Sequence, residues 1–354
     1  MENVFVYSLL ALLAGGFVAF LCTPLVGKLA DMMGAIDVPQ DGRRMHTRPV
    51  PRLGGLAIFA GFLMAVLCLR LFSDMLPITM PLRGMLIGSI FIIVVGVIDD
   101  VLRLPAWIKF IVQFVAAVIV VWHGLRIEFF TNPFDADNFI RLGALSAPIS
   151  VLWIMGMTNA VNWIDGLDGL SVGVSTIGSV SIFIVAAIHG EPLICLLMAA
   201  LAGASLGFLP YNINPAKMFV GDTGATFLGF VLSSVAIMGL FKFSTMISFA
   251  VPFLVLGLPL FDFLFVIVRR VASGKSPAVA DRKHVHHRLI DMGFSQKQAV
   301  TILYAVSAIL GIAAVLATAD DEIRAVLFVT ALLAALGVAI MVIVIRSKGQ
   351  NDDE

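Results

Sequence analysis

Five short stretches hold residue types that can do chemistry at phosphate. Asp99-Asp100 is followed by Arg103 and, beyond Pro105, by Lys109. Adjacent carboxylates suit a divalent cation or a proton-accepting role, because like charges this close perturb each other; two aspartates capping the next helix are the plainer reading. Asn159, Asn162, Asp165 and Asp168 recur at every third position. On a helix that spacing makes one polar stripe, although Gly166 and Gly169 would loosen the helix there. A structural stripe explains the asparagines, but it explains two aspartates among glycines poorly, so the segment reads as functional.

The third stretch runs from Asn214 through Lys217 and Phe219 to Gly221-Asp222-Thr223-Gly224. Its glycines allow close backbone approach and open N–H groups, which suit phosphate. Asp222 can then share a magnesium ion with phosphate oxygens; an ordinary Gly-Asp turn is the alternative. The fourth is Asp281-Arg282-Lys283-His284-Val285-His286-His287-Arg288. With no cysteine nearby and no usual zinc spacing, imidazoles among basic groups fit a pyrophosphate better, as donors and charge stabilisers. A basic patch at a membrane surface is the competing reading. The fifth, Arg43-Arg44-Met45-His46-Thr47-Arg48 leading to Arg52 and Gly54-Gly55, suits the anionic headgroup of a lipid or nucleotide, or serves only to orient the chain in a membrane.

The elements that must position these groups are membrane helices. Of 354 residues, 60% are hydrophobic and only 13% charged, about half the usual charged share of a soluble domain; mean hydropathy is +1.03. Apolar stretches of roughly 20 residues cross a bilayer, and only as helices that satisfy their own backbone groups. Eleven spans are expected, near 3–26, 53–72, 82–98, 106–124, 147–164, 170–188, 192–211, 224–241, 246–268, 299–317 and 324–345. The expected fold is thus an all-α, polytopic helix bundle forming a single integral membrane unit over 1–354.

All but six of the 23 Lys and Arg fall on one side of this arrangement, the exceptions being Arg70, Arg83, Arg126, Arg141, Lys242 and Arg324. Basic residues mark the cytoplasmic face, so the N-terminus is expected outside and the C-terminus inside. All five polar stretches then share the cytoplasmic side. The first apolar run has no basic leader and reads as a retained helix. Net charge is zero, so no bulk field argues for nucleic acid. Cys22, Cys68 and Cys195 lie in apolar runs and read as reduced, structural thiols.

Carboxylates for a cation together with cationic groups for a diphosphate are what phosphoryl transfer requires. A site at the membrane boundary implies one lipid reactant and one soluble reactant, most economically a nucleotide-activated donor. The motifs at 44–55, 99–100 with Lys109, 159–170, 220–224 and 284–288, in this order, resemble the polyprenyl-phosphate N-acetylhexosamine-1-phosphate transferase family over nearly the whole chain.

That resemblance implies an enzyme of a bacterial plasma membrane, with a cytoplasm-facing groove, undecaprenyl phosphate as acceptor, and Mg²⁺ as cofactor with Mn²⁺ as an allowed substitute. It implies that Asp99, with Asp100 beside it, acts on or orients the lipid phosphate, Asp165 being the rival base. Asp222 and Asn162 would hold the metal; Lys109, Arg44 and His46 would contact phosphate. Asp168 would meet the uracil with Phe219 near its ring, while Asn159, His284, His286, His287 and Arg288 complete the nucleotide and sugar contacts. Val285 interrupts the three consecutive histidines expected of the branch using UDP-MurNAc-pentapeptide, the alternative activity. The pattern resembles the branch taking UDP-N-acetylglucosamine to begin wall teichoic acid, O-antigen or a similar glycan. Membrane lipids are the surroundings, and a homodimer is an open assembly. Two rivals remain: a prenyltransferase, which would want two Asp-x-x-x-Asp-like sites, and a transporter or flippase, which would place its charges near the midplane and often carry repeats.

Overall fold

The apolar runs fold as helices whose ends are set by proline, glycine and short polar breaks. The computed structural model describes residues 2–39, 48–73, 76–131, 139–239, 250–272 and 284–318. Its α-helices are α1 (Glu2–Met33), α2 (Gly54–Phe72), α3 (Met80–Leu102), α4 (Ala106–Trp122), α5 (Ser146–Trp163), α6 (Leu170–Ile188), α7 (Pro192–Asn212), α8 (Gly221–Met238), α9 (Ala250–Val255), α10 (Gly257–Ala272), α11 (Val285–Asp291) and α12 (Gln296–Thr318). Thr79 caps α3, its hydroxyl accepting the Leu82 N–H at 3.4 Å, and Pro192 opens α7, where a missing N–H costs nothing. Two antiparallel ribbons complete the fold: β1 (Ile36–Asp37) with β2 (Val50–Pro51), and β3 (Phe129–Thr131) with β4 (Phe139–Arg141).

Eight of these helices are long and apolar enough to cross a membrane. The α4 helix is shorter, about 26 Å at 1.5 Å per residue, yet Trp107 and Trp122 stand exposed at its two ends, the placement of aromatic residues at membrane interfaces. Several buried hydroxyls inside the bundle donate to the carbonyl one turn back, as Ser89 does to Met85 and Thr158 to Ile154, which satisfies them without water. The chain is a polytopic helical membrane protein.

The bundle is built around α8, 94% of whose span is buried, with α2, α3, α5 and α6 against it. Outside this, α1 packs along α7. There Gly203 lies on the Leu12 backbone and Gly207 on Gly16, so that a Cβ at either position would collide with main chain. Where lipid removes the hydrophobic drive between helices, such small residues let backbones meet.

Ten of the expected spans fall on described helices, and the eleventh, 324–345, lies outside the described residues. The expected ninth span, 246–268, is broken at Leu256 between α9 and α10 where it is described. Pro259 explains the break: it has no N–H for the carbonyl four residues earlier and its ring crowds that turn. The expected third and eighth spans are also too short at the ends that matter. The third runs on through Asp99-Asp100 to Leu102, and the eighth begins at Gly221, so three aspartates expected in loops are helical.

Candidate active site

Asp99 and Lys109 are brought together by a tight turn between α3 and α4. Arg103 ends α3 in the left-handed region, at φ 54°, and its N–H bonds the Asp99 carbonyl at 2.7 Å. The next N–H, of Leu104, meets Asp99 Oδ1 at 2.7 Å. With one oxygen fixed by backbone, Asp99 Oδ2 accepts from Lys109 Nζ at 2.9 Å, and the same ammonium donates to Asp222 Oδ2 at 2.8 Å. Asp99 is buried, 6% exposed, so its charge is carried by this pair of bonds and not by water. Helix α3 continues past the expected boundary because its terminal carboxylates find such partners within the fold.

Asp100 caps α8. Its Oδ1 accepts the Asp222 N–H at 3.0 Å, and its Oδ2 accepts the Thr223 N–H at 3.0 Å and the Thr223 hydroxyl at 2.6 Å. A carboxylate at a helix N-terminus satisfies orphan donors and complements the dipole. The N–H groups after Gly221, expected to be open for phosphate, are therefore taken by a side chain. Gly221 adopts φ +71°, and a side chain there would strike the Arg52 carbonyl and Asp100. The Arg52 guanidinium lies 3.6 Å from Asp100 and 4.0 Å from Asp222. Its strand is tied to the same loop: Phe219 N–H to Pro51 O, Gly54 N–H to Phe219 O and Gly55 N–H to Val220 O.

The Asn159–Asp168 segment is helical only as far as Trp163. The expected stripe therefore covers the two asparagines, while Asp165 and Asp168 sit in the turn before α6. The Asn159 amide is buried and donates to Gln113 at 2.6 Å and to the Met155 carbonyl at 2.8 Å. Asn162 makes no side-chain hydrogen bond among the described residues. Ser171 donates to Asp165 at 2.6 Å. Burial pushes the Asp165 carboxyl up to about 7, against the pull of the Ser171 hydroxyl, and the negative charge of Asp222 adds to the rise. Asp168 accepts from the Asn214 amide at 2.9 Å and the Ala216 N–H at 3.0 Å. Asn212 joins the two loops, accepting from Gly169 N–H at 3.1 Å and donating to Met218 O at 2.9 Å.

The histidine segment leans on the same turn. His284 opens α11 and shares a 2.7 Å hydrogen bond with Asp262 of α10. His286 stacks on it with ring centroids 5.6 Å apart, and lies against Gly166, where a Cβ would collide with its Nε2. That nitrogen is buried without a partner among the described residues. Burial, then the neighbouring His287 and His284, push the His286 imidazole down to about 3. His287 stands 4.3 Å from His286, and Arg288 is exposed beside the Phe265 ring.

Asp99, Lys109 and Asp222 sit at one end of a narrow, partly open groove between α3, α4 and α8, lined further by Ile92, Val95 and Val112, with a cavity volume of about 20 Å³. The oxygen donors fit a magnesium ion. Two carboxylates already converge on one positive nitrogen, and the unbonded Asn162 amide belongs to the same end of the bundle. Among the described residues no three carboxylate, imidazole or thiolate groups form a cage; magnesium needs none, since it retains waters and takes ligands from phosphate. Arg44 and His46 lie outside the described residues. Asn212 and Gln113 are site-forming residues that motif reading left aside, while Arg52, Asn214 and Thr223 lay within its motifs without an assigned role; the Asn212-x-Asn214 pair closing an apolar run was the available signal for Asn212.

The clustered carboxylates and cations lie at one end of a helical membrane bundle, beside a groove lined partly by apolar side chains. The family described as glycosyl transferase family 4 matches residues 82–240, which include most of α3, all of α4 to α8, and the aspartates at 99, 100, 165, 168 and 222. A probable undecaprenyl-phosphate N-acetylglucosaminyl 1-phosphate transferase of Bacillus subtilis is 39% identical over 88% of this chain and 83% of its own. A decaprenyl-phosphate N-acetylglucosaminephosphotransferase of Mycobacterium leprae is 33% identical over 82% and 79%. A phospho-N-acetylmuramoyl-pentapeptide-transferase of Staphylococcus aureus is 30% identical over 87% and 97%. The chain belongs to glycosyl transferase family 4.

Proposed function

We propose that this protein transfers N-acetylglucosamine 1-phosphate from UDP-N-acetylglucosamine to undecaprenyl phosphate at the cytoplasmic face of a bacterial plasma membrane, releasing UMP. The observation that carries this is the Asp99–Lys109–Asp222 bridge at the end of an apolar groove. A polyprenyl chain occupies lipid and groove while its phosphate reaches the charged end. A lipid phosphate oxygen attacks the β-phosphorus of the donor; that P–O bond forms as the bond from the β-phosphorus to the bridging oxygen breaks, and UMP leaves with the electron pair.

Asp99 orients the acceptor phosphate or takes its proton, and its fixed oxygen holds it in place for either role. Lys109 and Arg52 neutralise charge developing on the transferring group. Asp222 with Asn162 would hold a magnesium ion, which when bound supplies charge neutralisation on the donor diphosphate; manganese is an allowed substitute. Asp168 and Phe219 would receive the uracil, and the histidine segment the pyrophosphate and sugar. The resulting lipid-linked sugar would begin a cell-envelope glycan such as wall teichoic acid.

The test uses purified protein in detergent with Mg²⁺, undecaprenyl phosphate and labelled UDP-N-acetylglucosamine, following UMP release and lipid-linked label. Product that disappears with EDTA supports donor, acceptor and metal together. Product only with UDP-MurNAc-pentapeptide would transfer the assignment to the activity carried by the name of the staphylococcal relative.

A further inference from the structure

Asp262 is a carboxylate in a helix whose other charged residues, Arg269 and Arg270, lie in its last turn, and only 3% of it is exposed. A buried charge is retained when it is paired and fully hydrogen-bonded, and here both oxygens are used on one short segment. Oδ2 lies 2.7 Å from His284 Nδ1, and Oδ1 accepts the Val285 N–H at 2.8 Å. An ionised carboxylate can only accept, so the proton of that first bond sits on His284 Nδ1. The second bond holds the main chain at the start of α11, so ring and backbone are registered against α10 at once. Trp163 closes the ring edge-on at 5.8 Å, and His286 lies parallel to it, within 9°. His286 in turn abuts Gly166, between Asp165 and Asp168. The carboxylate therefore stands at the head of a row of rings ending at the turn that carries two site aspartates.

We infer that Asp262 is a positioning residue: it holds His284 in the tautomer protonated on Nδ1, leaving Nε2 for the donor substrate, and registers the histidine segment against the Asp165–Asp168 turn. This rests on reading that segment as donor-binding. A carboxylate that fixes the tautomer and ring angle of a working histidine matters through orientation and not through contact with the reacting atoms. Asp262→Asn keeps the shape and one acceptor oxygen but turns an amide N–H₂ or a neutral oxygen toward His284, so the preference for Nδ1–H is lost.

The experiment compares wild type, Asp262→Asn, His284→Gln and the double variant as full chains in detergent, measuring kcat and KM for UDP-N-acetylglucosamine and for undecaprenyl phosphate. Asp262→Asn should lower kcat/KM for the donor by roughly tenfold or more and leave the acceptor KM in place. In the His284→Gln background the second substitution should add almost nothing, because groups acting through one contact are non-additive. Full additivity, or a donor kcat/KM for Asp262→Asn at the wild-type level while His284→Gln is impaired, would overturn the positioning role alone. A His284→Gln variant with unaltered donor kinetics would overturn the donor reading beneath it. The wild-type protein offers a check that survives a misfolding variant: ring-¹⁵N histidine spectra, with His284 assigned from His284→Gln, should show a protonated Nδ1. A proton on Nε2 alone would overturn the inference.

Discussion

Lys109 balances two aspartates with one ammonium, and its removal leaves both carboxylates facing each other in a poorly hydrated site. Lys109→Met should therefore reduce UMP release by about 10²-fold or more, the scale of losing one pre-aimed electrostatic stabiliser. A variant within a few fold of wild type would show that the bridge is only structural. Asp165 offers a different handle. Its carboxyl titrates near 7, raised by burial, whereas in the unfolded chain it ionises near 3.9. Between about 4 and 7 the fold holds a proton that the unfolded chain has released, so stability from this group falls as pH rises and the deficit is complete above 7. Asp165→Asn should melt higher than wild type at pH 8, with a smaller difference at pH 5. If ionised Asp165 serves the reaction, kcat/KM of the wild type should climb through pH 7 and that limb should vanish in the variant. An unchanged profile in Asp165→Asn would remove Asp165 as the rival base. The carboxylates themselves were legible in the chain. What separates them was not: Asp99 and Asp100 are neighbours, yet one meets an ammonium and the other caps a helix 122 residues away.

At the level of elements, the site depends on backbones meeting where a side chain would intervene. Gly55 of α2 lies on the Gly224 and Thr223 backbone of α8, and Gly203 of α7 lies on Leu12 of α1. Both would be pushed apart by a methyl group, at about 1–3 kcal/mol for overpacking, but only the first contact adjoins the Asp100–Thr223 cap. Gly203→Ala should lower the melting temperature in detergent while folded protein keeps its turnover. Gly55→Ala should lower melting temperature and turnover together. Equal losses of turnover in the two would mean that the α2–α8 contact does not set the site. The end of α3, the start of α8 and the junction of α9 with α10 are where the expected boundaries differ from the fold. At α3 and α8 charge suggests a boundary, but a carboxylate with partners stays helical; between α9 and α10, Pro259 breaks a run that hydropathy alone treats as continuous.

Among the described residues, the ends of α3, α5 and α7 meet the starts of α2, α4, α6, α8 and α12 at one face. The basic residues predict that this face is cytoplasmic. In a chain with Cys22, Cys68 and Cys195 replaced by serine, Glu191→Cys should react with an impermeant maleimide on intact cells. Asp291→Cys should react only after permeabilisation; the reverse pattern would invert the topology. Membrane class, the helices at ten of the expected spans and the family of the motifs were legible in the sequence, because a bilayer imposes length and polarity on every crossing segment independently of its neighbours. Which polar groups pair was decided only by tertiary structure. The Lys109 bridge joins residues 113 positions apart, and the Asp262–His284 contact joins a buried carboxylate to a loop 22 residues on. Such pairs leave no local period or spacing to read; they exist because helices packed in lipid must satisfy every buried charge with whatever their neighbours present.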